Sequence, residues 1–414
     1  MTDHVSPPGA SLRQAARILV LVSGLGIAVT GGGLSVAGLL VGLLGSSSDV
    51  RLTATLSLSL LALTVGLGLA LAWQGWQASR GQRSRPFQPR RVWLWIGLFV
   101  LAVLVGQLAL SLDLLVSLTF PPFHLAAAFL PPLAVLAAVG RGLSGATRWR
   151  EMVLQLSSGA FVSTSLAFSL EALSIVGLVV IALLLLAMWP GGPEMLQVFA
   201  ERLQDETWLQ DPANLGSLLT SPVVVLLAAV VFAGIIPLVE EMVKTIGVLL
   251  LSYRRPTMAQ AFLWGLAGGA GFAVAEGLFN TLGGLEVWAL IVSARVGATL
   301  LHCFTGGLMG LAWYYLLREK RWLRALGLYA SSVSLHGLWN GLAGLASVLS
   351  FLGLDFEAGS SGQGLVAVGI IAVVGLLLAL ALAIGAGLAV VTRFVARHSL
   401  SRGDAPPVPD AGRG

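Results

Sequence analysis

Residues Ile175 to Met188 read IVGLVVIALLLLAM, an unbroken run without a polar side chain. A strand of a transmembrane barrel would alternate lipid-facing apolar residues with polar lumen positions, so this run is not such a strand. With its apolar flanks it is long enough to cross a hydrocarbon core of about 30 Å as a helix. The same composition recurs along the chain: of 414 residues, 57% are hydrophobic and 10% charged, against roughly 25% charged in soluble domains. A water-soluble fold could not hide that much apolar surface. The expected class is therefore all-α, a polytopic transmembrane helical bundle.

Apolar stretches predict ten spans, at residues 17–44, 53–77, 93–112, 122–140, 158–189, 222–251, 258–282, 287–317, 326–352 and 364–392. Arg13 and Arg17 precede a first run too long for the apolar core of a signal peptide, so it reads as a span. The connections alternate in charge. Arg80, Arg83, Arg85, Arg90 and Arg91 follow the second span, Arg141, Arg148 and Arg150 the fourth, Arg254 and Arg255 the sixth, Arg318, Lys320, Arg321 and Arg324 the eighth, and Arg393 and Arg397 the tenth. The opposite side carries Asp49, Asp113, the acidic segment Pro190 to Ser221, Asp355 and Glu357. By the positive-inside rule both termini are cytoplasmic. The net charge of +5 is thereby explained by helix orientation, and no nucleic-acid partner is expected. The single cysteine, Cys303, excludes disulfides within the chain and a multi-cysteine metal site.

Residues 1–215 form a five-span region to which the sequence assigns no chemistry; its one acid at membrane depth, Glu171, reads as a packing residue. His124, beside Pro121 and Pro122 at a span end, is expected at the interface, as are Trp93, Trp95, Trp313, Tyr314 and Tyr315. Residues 216–353 read as a catalytic core, 354–395 as the final span, and 396–414 as a disordered cytoplasmic tail rich in Pro, Gly and Asp.

An ionisable group at the bilayer centre costs about 2.5 to 3.5 kcal/mol, so several in one bundle require a reason. The core concentrates them. The sixth span holds Glu240, Glu241 and Lys244, the lysine one helical turn after both acids and within reach of either. In the seventh, Phe272, Glu276 and Asn280 share a face; in the eighth, Arg295, Thr299 and His302 share a stripe, with Arg295 a partner for Glu276. The ninth span carries Ser332, His336 and Asn340 at i+4 spacing. Glu240, Glu241, His302, His336 and Asn340 fall near mid-depth along their spans, and Glu276 is within reach of the same pocket from the seventh. Such a set equips a hydrolase, but buried acids and imidazoles also build proton or ion paths, so a proton- or ion-coupled transporter or channel is the rival class, and a catalytically inactive membrane scaffold a third. Against the transporter, no inverted repeat is evident.

The order E-E-x-x-K, F-x-x-x-E-x-x-x-N, R-x(6)-H-x(3)-G, H-G-x-W-N resembles the PrsW family of intramembrane proteases, itself similar to the CAAX prenyl protease and bacteriocin-processing superfamily. The resemblance covers roughly residues 225–350. It implies an intramembrane endopeptidase acting on membrane-anchored protein substrates in a bacterial cytoplasmic membrane, with regulatory proteolysis such as anti-sigma factor cleavage as a role. By match, the active-site residues are Glu240, Glu241, Glu276, His302 and His336, with Asn340 resembling the asparagine of the superfamily's H-x-x-x-N motif; Lys244, Phe272, Asn280 and Arg295 support them. CAAX proteases carry a histidine where this chain has Glu276, so His302 is expected to supply that role from the next helix.

The resemblance implies a glutamic-type mechanism in which a carboxylate deprotonates water. The expected base is Glu240 with His302 as its partner, and His336 with Asn340 are the expected oxyanion donors. Superfamily members are also described as metalloproteases. If zinc is present, Glu241, Glu276, His302 and His336 are the candidate ligands, although no H-E-x-x-H occurs. Metal-free catalysis is the expectation.

Overall fold

The structure is a computed structural model describing residues 10–44, 50–113, 115–211, 214, 216, 221–354 and 361–401. Asp49, Asp355 and Glu357 lie outside the described residues. No strand is present among those described; the one extended pairing is an isolated bridge between Pro86 and Arg148.

Ten helices are long and apolar enough to cross a membrane: Gln14–Leu44, Val50–Ser79, Val92–Ser111, Val116–Gly142, Trp149–Ala187, Pro222–Arg254, Met258–Asn280, Leu285–Arg318, Trp322–Gly353 and Ser361–Ser399. They correspond one for one to the ten predicted spans. The last helix continues to Ser401, so residues 396–401 are helical instead of opening a disordered tail; residues 402–414 lie outside the described residues.

The helices fall into two compact units, one made of residues 1–164, 244–328 and 385–414, the other of 165–243 and 329–384. In the first, the seventh span is almost wholly enclosed by protein. Its start is fixed by a reciprocal cap: Thr257 Oγ1 accepts from the Gln260 amide at 3.2 Å, and the Gln260 side chain accepts from the Thr257 amide at 3.0 Å. Thr257→Ala is expected to cost about 1 kcal/mol, read as a lowered unfolding midpoint in detergent micelles. Gly265 and Gly269 of this helix meet Gly306 and Gly310 of the eighth span, where an added Cβ would strike backbone. Lipid offers no hydrophobic drive for helices to associate, so close backbone approach of this kind carries the packing.

A second centre in the same unit joins Val116, Phe120, Ala127, Trp288 and Val292, with Phe120 edge-on to Trp288 at 4.9 Å. His124 belongs to this centre: it is buried, Trp288 Nε1 donates to its Nδ1 at 3.3 Å, and its Nε2 faces the Leu278 carbonyl at 3.1 Å. Accepting at Nδ1 sets the proton on Nε2, so both ring nitrogens are satisfied by a neutral imidazole. Tyr314 is likewise buried and donates its hydroxyl to Glu319 at 2.8 Å, whereas Trp93 is exposed as an interface residue would be.

In the other unit, the segment after the fifth span forms the short helices Gly192–Gln204 and Glu206–Gln210. Asp205 caps the second, its Oδ1 accepting from the Thr207 and Trp208 amides. The Thr207 hydroxyl beside it, together with these amides, holds the exposed Asp205 carboxyl below its usual range.

Candidate active site

Two carboxylate–imidazole clusters carry the residues singled out by the sequence, one in each unit.

In the unit of residues 165–243 and 329–384, the sixth span turns into π-helix at Val231–Ile235 before continuing as Ile236–Val243. The Ile236 amide bonds to the Val231 carbonyl. The next amide in that register would be residue 237, but Pro237 has no N–H to give the Phe232 carbonyl. Asn340 Nδ2 supplies the missing donor, at 3.0 Å from that carbonyl. Gly337 allows this approach, since a Cβ there would collide with the Ala233 carbonyl, and Tyr329 adds a bond from its hydroxyl to the Leu238 carbonyl at 2.9 Å. Asn340 therefore ties two helices together.

The docking of these helices sets His336 between two acids. Its Nδ1 lies 2.8 Å from Glu241 Oε1, and its Nε2 lies 3.7 Å from Glu240 Oε2. All three side chains are buried, Glu241 completely. With Glu241 accepting a proton from Nδ1, a neutral His336 turns the Nε2 lone pair toward the Glu240 carboxylate. Two acceptors facing each other repel, and 3.7 Å is beyond hydrogen-bond length. The arrangement is relieved by a positive charge at Nε2, either a proton or a metal cation. His336 is thus an imidazole partner of Glu240. Both of its ring nitrogens face carboxylates.

In the other unit, Lys244 is the first residue past the helix Ile236–Val243, in a turn. Its fully buried Nζ is 3.0 Å from His302 Nδ1, 3.5 Å from Thr305 Oγ1 and 5.3 Å from the centre of the Phe272 ring. An ammonium can only donate, so His302 accepts at Nδ1 and keeps its proton on Nε2. That proton points at Glu276 Oε2, 2.6 Å away. Arg295 reaches the same oxygen at 3.0 Å, as expected, and Asn280 Nδ2 donates to Oε1 at 2.8 Å. Glu276 is surrounded by donors suited to a carboxylate anion. Thr305 is the residue here that sequence reasoning missed; its signal is its position three residues after His302 on the same helix face.

Among the sequence's zinc candidates, Glu241 is engaged with Nδ1 of His336, and His302 and Glu276 with each other. The carboxylate facing the open nitrogen of His336 is Glu240. A zinc ion with ligands at about 2.0–2.2 Å in a tetrahedron separates its donor atoms by roughly 3.3–3.5 Å, close to the 3.7 Å between Glu240 Oε2 and His336 Nε2. A carboxylate on the far nitrogen of a metal-binding histidine is the usual outer support, fixing the tautomer, and Glu241 occupies that position. Glu240 and His336 fit a metal ion.

Carboxylates and imidazoles held together in buried clusters of a ten-span helical protein are the equipment of a membrane-embedded hydrolase. The chain belongs to the PrsW family: residues 147–380, more than half of it, match the family described as PrsW family intramembrane metalloprotease. The match begins at the fifth span and ends in the tenth, wider than the motif region that carried the resemblance. No curated protein and no solved structure matches the chain.

Proposed function

We propose that the protein is an intramembrane endopeptidase that hydrolyses peptide bonds of membrane-associated protein substrates, and that cleavage requires both clusters. The supporting observation is the setting of His336, anchored by Glu241 through one nitrogen and presenting the other to Glu240 inside the protein. A purely structural ion pair has no use for two acids around one imidazole at membrane depth.

Glu240 and His336 would hold a divalent ion such as zinc, and what that ion supplies when bound is Lewis-acid polarisation of the water and the scissile carbonyl. Glu241 keeps the His336 proton on Nδ1 and the ring fixed. Lys244 keeps the His302 proton on Nε2, and His302 with Arg295 and Asn280 holds Glu276 oriented. The family's description and the Nε2-to-carboxylate facing favour this reading over the metal-free one. The specific support for glutamic-type catalysis is that two carboxylates flank His336 and would stabilise its imidazolium. There Glu240 would take a proton from water directly, with His336 as the adjoining acid. Regulatory proteolysis, such as cleavage of an anti-sigma factor, is the role the family resemblance implies.

Chelation separates the two. Exhaustive treatment of the reconstituted protein with a chelator is expected to abolish cleavage of a single-span substrate, and zinc to restore it. Bound metal should be near stoichiometric in the wild type and fall in His336→Ala. If His302→Ala also loses metal, the ligand set extends beyond Glu240 and His336. Full cleavage after metal removal would establish the metal-free reading instead.

A further inference from the structure

A second feature of the unit containing residues 244–328 lies outside both clusters. A cavity of about 490 Å³ opens where the sixth and eighth spans end, on the side bearing the basic connections. Val248, Pro256 and Leu317 give it apolar walls, Trp313 and Tyr314 line it with aromatic rings, and Arg255, Arg318 and Lys320 supply three cations.

The cations differ in what they do. Arg318 Nη1 donates to the Arg255 and Pro256 carbonyls, both at 2.7 Å, and so clamps the turn after the sixth span to the end of the eighth. Arg255 and Lys320 make no side-chain hydrogen bond or ion pair among the described residues. Both occupy left-handed backbone, φ +51° and +57°, a conformation uncommon for long side chains. The plain explanation, cations at helix ends serving the helix dipole and membrane orientation, asks only that they reach water. It does not ask that two strained turns bring unpartnered cations around one cavity, part polar and part apolar, braced by a third.

We propose that this cavity is a binding site for a phosphate group with an attached apolar portion, Arg255 and Lys320 taking the charge and the Val248–Leu317 wall the hydrocarbon. Anionic phospholipid headgroups have this chemistry, as basic pockets between membrane helices commonly bind them; inorganic phosphate shares only the charged part. The site is independent of the peptidase reading.

The full-length protein in nanodiscs containing equal phosphatidylglycerol and phosphatidylcholine provides the test, with bound lipid counted by native mass spectrometry. Phosphatidylglycerol is expected to be retained selectively. Retention should weaken by about fivefold for Arg255→Gln and again for Lys320→Gln, while Arg255→Lys retains it and melting temperatures show that the variants are folded. Adding millimolar inorganic phosphate distinguishes the sources. Undiminished lipid retention assigns the site to a lipid headgroup with its apolar portion, whereas full displacement shows that the charge alone is read and overturns the apolar half of the proposal. Equal retention of both lipids, or no change on removing both cations, overturns it.

Discussion

Glu240→Gln is expected to lower cleavage of a reconstituted single-span substrate by at least about 100-fold, the lower range for losing a group that handles the reacting proton or its activator, while the helical fold is kept. The substitution preserves volume and one carbonyl-type oxygen, so it removes charge and basicity from a buried position with little change in packing. His336→Ala should match it, because the pair acts through the Nε2-to-Oε2 relation. The double variant should lose little more than either single one, as groups that work as a unit are strongly non-additive. Glu241→Gln should be milder, roughly 10- to 100-fold, the range for removing an outer support of a ligand histidine, and it should weaken metal retention without eliminating it. Glu241→Leu is a different experiment. It leaves a buried imidazole without its acceptor at 2.8 Å, and breaking a buried pair from one side costs about 3–5 kcal/mol, so the unfolding midpoint should fall, as it should in His336→Ala, where Glu241 loses the same contact. Cleavage unchanged in both Glu240→Gln and His336→Ala would remove the peptidase assignment. If those variants instead altered ion flux across liposomes, the transporter reading would replace it.

The span architecture was legible because hydrocarbon tolerates so few alternatives to a long apolar helix. The extent of each span is a matter of composition, and composition survives without knowledge of neighbours. The residue types of the site were legible for the same reason, since Glu240, Glu241, Glu276, His302 and His336 are costly at membrane depth unless used or paired. Their partners were not. Spacing places Lys244 near the acids of its own helix, but that its Nζ lies 3.0 Å from His302, a residue of another span, is not written in that spacing. Asn340 shares a face with His336 as its spacing states, yet its partner is decided on another helix by the missing amide of Pro237. His124 next to two prolines looks like a span end; that Trp288, far along the chain, donates to its ring is invisible to local pattern. The Glu276–Arg295 pair, by contrast, was found because each is the one acid or guanidinium at depth on its own helix, and the two helices are successive.

Gly269→Ala is expected to destabilise the protein by about 1–3 kcal/mol or more, the usual cost of overpacking, and to remove most of the cleavage activity. A methyl group on Gly269 would collide with the main-chain carbonyl of His302 and lie 3.3 Å from Gly306 Cα. Backbone cannot rotate out of the way as a side chain can, so the seventh and eighth spans must move apart. The point of collision is the residue whose Nε2 must stay 2.6 Å from Glu276 on the helix being pushed away. Charge-assisted hydrogen bonds of that length tolerate little displacement, so the steric insult and the loss of the His302–Glu276 contact arrive together. Gly306→Ala should behave alike, its methyl meeting Gly269 Cα at 3.0 Å. The control is Gly97→Ala, which adds the same methyl to the third span where nothing lies within 4 Å; there the gain in helix propensity, up to about 1 kcal/mol, should leave stability equal or slightly raised and cleavage intact. Thermal unfolding and substrate cleavage, measured side by side on the three variants, decide the matter. If Gly269→Ala proves as stable and active as Gly97→Ala, the close approach of the seventh and eighth spans does not position His302, and the cluster around Glu276 must owe its geometry to something else.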